Sequence, residues 1–219
     1  MALAVDTATN VAGAGAGPFT WSHTCAGSDR VLLVGISYYD SGDTVSAITY
    51  NSVAMTVVPS STVSNGQYTV SFYRLIAPAT GSNTVSVTFT GIVFDFGAGA
   101  VSFTGADQTT PLGTAVTATG SSTTPSVTVT SATGEIVLDT LVIVHTGTLT
   151  VDGSQSQRWN STGAFGHIKY AGSTEAGAAT TTMSWSNSTS QNWAIVGVPV
   201  KPVAAASTLR QLCLTGVGT

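Results

Sequence analysis

Three histidines, two glutamates, eight aspartates and two cysteines are the side chains from which this chain could build acid–base, nucleophilic or metal chemistry. Zinc sites usually announce themselves by short ligand spacings such as HxH or HExxH. His23, His145 and His167 are far apart and read as satisfied strand-end residues. Asp40 and Asp43 share a Gly-containing loop and, with Asp29 or Asp107 folded nearby, could offer oxygens to calcium. Aspartates in such loops more commonly cap turns. Glycoside hydrolysis needs two carboxylates flanking the scissile bond, and neither Glu135 nor Glu175 has an alternating acidic partner in its strand. A serine nucleophile would occupy a GxSxG strand-to-helix elbow. The run Gly35-Ile36-Ser37-Tyr38-Tyr39 lacks the second glycine, and no helix follows it. Cys25 and Cys213 could form one bridge or stay as thiols in a reducing compartment, and they have no CxxC spacing. No catalytic, cofactor-binding or metal-binding residue is assigned, so the chain reads as non-enzymatic.

Aromatic side chains are the remaining candidates. Trp21, Trp159, Trp185 and Trp193, with Tyr38, Tyr39, Tyr50, Tyr68, Tyr73 and Tyr170, could make a sugar-stacking platform. In a β-sandwich such residues more often anchor a core or an interface. Trp185 and Trp193 flank the polar run 186–192, SNSTSQN, and read as a pair across a hairpin. Asn160-Ser161-Thr162 and Asn187-Ser188-Thr189 match glycosylation sequons, which carry meaning only in a eukaryotic secretory pathway.

Those residues must be positioned by strands. Residues 95–113, DFGAGAVSFTGADQTTPLG, read as one buried strand over 98–104 followed by a tight polar loop. Gly97, Ala98, Gly99 and Ala100 leave room for an aromatic neighbour to approach closely. Residues 30–38 (RVLLVGISY) and 135–145 (EIVLDTLVIVH) are apolar on both faces, as expected of strands covered on two sides. Asp139 interrupts the second and reads as a bulge. Residues 84–90 alternate, with Val85, Val87 and Phe89 on one face. Asn51-Ser52 is a hairpin tip between 45–50 and 53–58. No long amphipathic helix and no repeat of 20–50 residues stands out. Short strands with turn signals about every 8–12 residues predict an all-β antiparallel sandwich, jelly-roll-like. Its expected division is an N-terminal arm (1–18), one sandwich domain (19–202) and a C-terminal arm (203–219) in which 208–214 could turn helically.

The 219 residues are 42% hydrophobic and only 7% charged, with net charge −4, against about 25% charged in an average soluble domain. Ser, Thr, Gly, Asn and Gln do the solvating, a surface suited to close neutral packing. The six basic residues (Arg30, Arg74, Arg158, Lys169, Lys201, Arg210) are scattered, so the basic patch expected of a nucleic-acid binder is missing from the sequence pattern. No apolar run approaches the roughly 18 residues of a membrane-spanning helix. The first residues lack a basic n-region and an unbroken apolar stretch. With Met1 at the start, the expectation is assembly in a cytoplasm and later exposure outside, as virion proteins experience.

The runs SDRVLLVGISYYD, VSFTGADQTTPLG and SWSNSTSQNWAIVGVPVKP resemble the β-sandwich proteins of tailed-phage structural regions and of bacterial surface proteins, over about residues 19–202. The resemblance implies a non-enzymatic virion structural protein, most specifically a capsid decoration (cement) protein on the particle surface. It would self-associate, as a trimer at local threefold positions, and bind the major capsid protein or another virion protein through its terminal arms. No cofactor, nucleic acid or membrane is implied. The alternative is a carbohydrate- or receptor-binding module of a tail fibre or adhesin, which would expose aromatics on one loop edge.

Overall fold

The computed structural model describes residues 2–39, 42–144 and 147–204. The chain is all-β and its strand pairings are antiparallel. The first ten strands are β1 (Ala4–Gly15), β2 (Phe19–Cys25), β3 (Val31–Tyr39), β4 (Val45–Tyr50), β5 (Val53–Ala54), β6 (Thr56–Val57), β7 (Val63–Asn65), β8 (Tyr68–Ile76), β9 (Gly81–Phe89) and β10 (Val93–Thr104). They make one sheet ordered β1-β10-β3-β8-β6, with β7 also on β8, and a second ordered β2-β9-β4-β5. First strand beside last, second beside second-to-last, is the jelly-roll order.

The remaining strands repeat it. β11 (Val116–Ser122), β13 (Ile136–Val144), β15 (Ser156–Thr162), β16 (Ile168–Ala176) and β18 (Gln191–Val200) form a sheet ordered β11-β18-β13-β16-β15. β12 (Ser126–Thr130), β14 (Leu149–Val151) and β17 (Thr180–Asn187) form a sheet ordered β12-β17-β14. The range expected as one sandwich therefore holds two jelly-roll halves, and residues 105–115 join them. Each half contributes one strongly apolar sheet to a shared central interface.

Three cores separate four layers. The central one joins Val31, Leu33, Phe72 and Phe103 of the first half to Leu138, Val142, Tyr170 and Val196 of the second. Two outer cores lie behind it, one around Ile36, Ile48, Tyr50, Val87 and Phe96, the other around Val129, Leu141, Met183 and Trp185. This arrangement explains why β3 and β13 are apolar on both faces: each has a sheet above and below it. At the middle of the interface β3 crosses β13 closely, and a Cβ added at Gly35 would lie 2.8 Å from the Thr140 side chain.

Several expectations are corrected. Residues 4–15, expected within an arm, pair along β10 as an edge strand of this chain's own sheet. Their small side chains and the Val5 and Val11 contacts explain the docking. Asp139 makes no bulge, because the β13–β18 register runs unbroken through Asp139↔Gly197. Trp185 and Trp193 are not cross-strand hairpin partners: β17 and β18 belong to different sheets, and the two rings enter one core from opposite layers. Asn51 and Ser52, with φ of 49° and 63°, form the expected hairpin tip. Asp40, His145, Cys213 and the segment 208–214 lie outside the described residues.

Candidate binding site

One end of the double sandwich collects exposed aromatic side chains. Tyr39 closes β3 and is in register with Tyr68, which opens β8. Their rings stack at 5.1 Å with 17° between planes. Phe94, at the start of β10, tilts against Tyr39 at 5.7 Å. His167, from the connection between β15 and β16, reaches the same ring at 5.5 Å. Phe94 is 49% exposed, Phe165 in the same connection 70%, and nearby Ile92 65%. Large apolar groups gathered on an otherwise hydroxyl-rich surface are the kind of patch that marks a contact surface.

The patch is held rigidly from beneath by Asp95, whose side chain is fully buried. One carboxylate oxygen accepts from the Phe96 amide at 3.1 Å and the Phe165 amide at 3.2 Å. The other accepts from His167 N at 2.7 Å and Ile168 N at 3.3 Å. The first half thus fixes a loop of the second. Asn65 makes the reverse tie, donating to the carbonyls of Gly120 and Trp193 at 2.8 and 3.2 Å. A buried carboxylate satisfied by several amides is costly to lose. Asp95→Asn should lower stability by about 2 kcal/mol, since an amide group then faces N–H donors. Hydrogen exchange at Phe165, His167 and Ile168 should rise with it, and unchanged protection there would contradict the brace.

The residues singled out for chemistry do not converge. Ser37 is buried and donates to the Leu141 carbonyl at 3.2 Å, a structural bond across the central interface. Glu135 accepts from the Ala132 amide at 2.9 Å and closes a turn, while Glu175 sits on β16 beside Arg158. Asp43 accepts from the Thr90 hydroxyl at 2.8 Å and Asp107 from the amides of Thr109 and Thr110 at 2.8 and 2.7 Å, so both brace turns. Asp29, with φ of 51°, occupies a turn. No cluster of three metal-ligating side chains occurs among the described residues. Cys25 is a buried free thiol whose pKa burial raises.

Trp159, Trp185 and Trp193 are core residues with exposures of 2%, 2% and 7%, and Trp21 packs inward against the first outer core. Three indoles find hydrogen-bond acceptors at Thr9, Asp139 and Ser122. The tryptophan platform is therefore not formed. Of the tyrosines considered for stacking, Tyr39 and Tyr68 belong to the exposed end. Phe94, in the run VFDFG that opens β10, and Phe165, in the loop run GAFGH, carried no sequence signal of exposure, and His167 stood out only as a possible metal ligand.

Comparison with known protein families, with curated proteins and with solved structures finds no match.

Proposed function

We propose that the chain is a non-enzymatic recognition module of a particle or cell surface, attaching to carbohydrate through its aromatic end. The observation that carries this reading is the braced group in which exposed Phe94, Phe165 and His167 gather around the half-buried, stacked Tyr39 and Tyr68. Rings presented on braced backbone lose little conformational freedom on binding, which favours stacking against the apolar face of a sugar. Jelly rolls serve both as capsid and as lectin domains, an analogy of fold that admits attachment without selecting its target. The Phe94→Ala, Phe165→Ala double variant should melt within a few degrees of wild type, because both rings are half-exposed or more. Its binding on a glycan array should fall at least tenfold, about 1.4 kcal/mol. Undiminished binding would remove the aromatic end from the function.

A second reading, the capsid decoration protein, is favoured by the outer faces of the stack. Thr20, Ser22, Thr24 and Thr84 on one side, and Thr128, Thr130, Thr180 and Thr182 on the other, present exposed hydroxyls and no charge. Such faces suit neutral packing against copies or a shell. Residues 4–15 are already paired within the chain, so this reading places the clamp in 203–219. Removing that segment should weaken co-sedimentation with phage shells while leaving the melting curve unchanged. Equal shell binding by the shortened chain would count against the clamp.

A further inference from the structure

The other end of β8 carries a feature of different chemistry. Between the two halves lies a groove of about 330 Å³, bordered by Val58, Pro59, Ser60, Arg74, Leu112 and Lys201, among other residues. Arg74 belongs to the first half and Lys201 follows the last strand of the second. Together they are two of only six basic residues in the chain. Neither side chain makes a hydrogen bond or an ion pair among the described residues, and no acidic side chain lines the groove. Asp107, whose carboxyl the Thr110 and Thr109 amides hold below its usual range, feels Lys201 only as a minor further influence. Arg74 lies six positions along β8 from Tyr68, roughly 20 Å of extended strand, so this groove is distinct from the aromatic end.

Its walls are fixed by backbone bonds. Gly113 N donates to Pro199 O and Lys201 N to Pro111 O, each at 2.8 Å, and Val58 N donates to Phe72 O at 2.8 Å. Thr56 pairs with Arg74, which anchors the strand bearing the guanidinium. The lining combines three kinds of group: two cations, the hydroxyls of Ser60 and Thr114, and the apolar surfaces of Val58, Pro59 and Leu112. Two like charges lining one open groove of mixed polar and apolar surface attract an anion, and a guanidinium fork matches the geometry of a carboxylate. A volume at the lower end of the range for small-ligand pockets admits one ring-sized group rather than an extended chain.

We infer that this groove is a binding site for a uronic acid residue of an acidic glycan. The carboxylate lies between Arg74 and Lys201, ring hydroxyls meet Ser60 and Thr114, and the C–H face of the ring rests on Leu112 and Pro59. The inference is independent of the aromatic end, and the two can fail separately.

The test titrates the full chain with D-glucuronate, D-glucose and inorganic phosphate while following backbone amide resonances by NMR. Glucuronate should shift the amides of Ser60, Leu112, Gly113 and Thr114 in a saturable way, and glucose at the same concentration should not. Arg74→Gln and Lys201→Gln should each weaken that titration about tenfold, the loss of one charge-assisted bond. Both variants should keep the wild-type melting curve. The inference is overturned by absence of saturable shifts with glucuronate, by equal response to glucose, or by phosphate matching glucuronate, which marks an adventitious ion only. Titrations unchanged in both variants would overturn it too. Shifts confined to Phe94 and His167 would support the aromatic end and reject this groove.

Discussion

Gly99→Val is expected to cost about 4 kcal/mol or more, enough to unfold much of the chain near body temperature. Gly99 lies in β10 on the face turned to the second half, where an added Cβ would clash with the indole ring of Trp159. Gly172 stands against the same indole from β16, so the ring is enclosed by two glycines and is 2% exposed. Gly97 makes the same accommodation for Tyr170. A valine can be admitted only if Trp159 leaves, and loss of a buried tryptophan costs roughly 3–5 kcal/mol. Total stability of a domain is about 5–15 kcal/mol, so the loss is a large fraction. Urea denaturation gives the measurement. Adding Trp159→Ala to Gly99→Val should cost less than the sum of the two single changes, because they destroy one contact. Gly153→Ala, at a position with no neighbour within 4 Å of an added Cβ, is the control and should lie within about 0.5 kcal/mol of wild type. Additive single and double costs would mean that the indole does not depend on the glycine.

That contact shows what the sequence could and could not disclose. The Gly-Ala run of β10 was legible as a place where a large neighbour approaches, and Tyr170 and Trp159 are those neighbours. Val85, Val87 and Phe89 alternate in the sequence and are all buried on one face of β9. The doubling of the fold was not legible. β3 reads VLLVGISYY and β13 reads IVLDTLVIV; they share apolarity and little else. A period of half the chain gives only two copies to compare, and the polar stretch 105–115 that joins the halves reads like any other turn between strands. The edge strand β1 looked like an arm because Ala and Gly carry no alternation, yet its pairing is made by backbone groups that any residue supplies. The aromatic end escaped for another reason. Tyr39, Phe94 and His167 come from three separate stretches, and only the folded register brings them together.

His23→Gln and Asp139→Asn should tilt the pH dependence of stability in opposite directions. His23 is buried in the first outer core, where the Thr9 hydroxyl, itself accepting from Trp21, meets Nδ1 at 2.8 Å. The other ring nitrogen, Nε2, is buried with no hydrogen-bond partner among the described residues. Burial lowers the imidazole from 6.5 to about 4, with Asp6 pulling weakly the other way. Between those values the unfolded chain holds a proton that the folded chain cannot, so stability falls as pH drops from 6.5 towards 4. Asp139 lies in the other outer core and accepts from Trp185 Nε1 at 2.7 Å and Ser173 Oγ at 2.9 Å. Burial outweighs those bonds and raises its carboxyl from 3.8 to about 7. Here the folded chain keeps a proton that the unfolded chain has lost, so stability falls as pH rises from 4 towards 7. The two effects, about 3 and 4 kcal/mol at most, oppose each other over nearly the same window, and the wild type should show a shallow profile between pH 4 and 7. With His23→Gln only the Asp139 slope is left, and the urea midpoint should rise on acidification from pH 7 to 4. With Asp139→Asn only the His23 slope is left, and the midpoint should fall over that interval. The sign of the slope, rather than the absolute loss each substitution causes, is the readout, because removing either buried group also breaks its hydrogen bonds. Profiles of both variants parallel to wild type would show that neither group changes its proton affinity on folding.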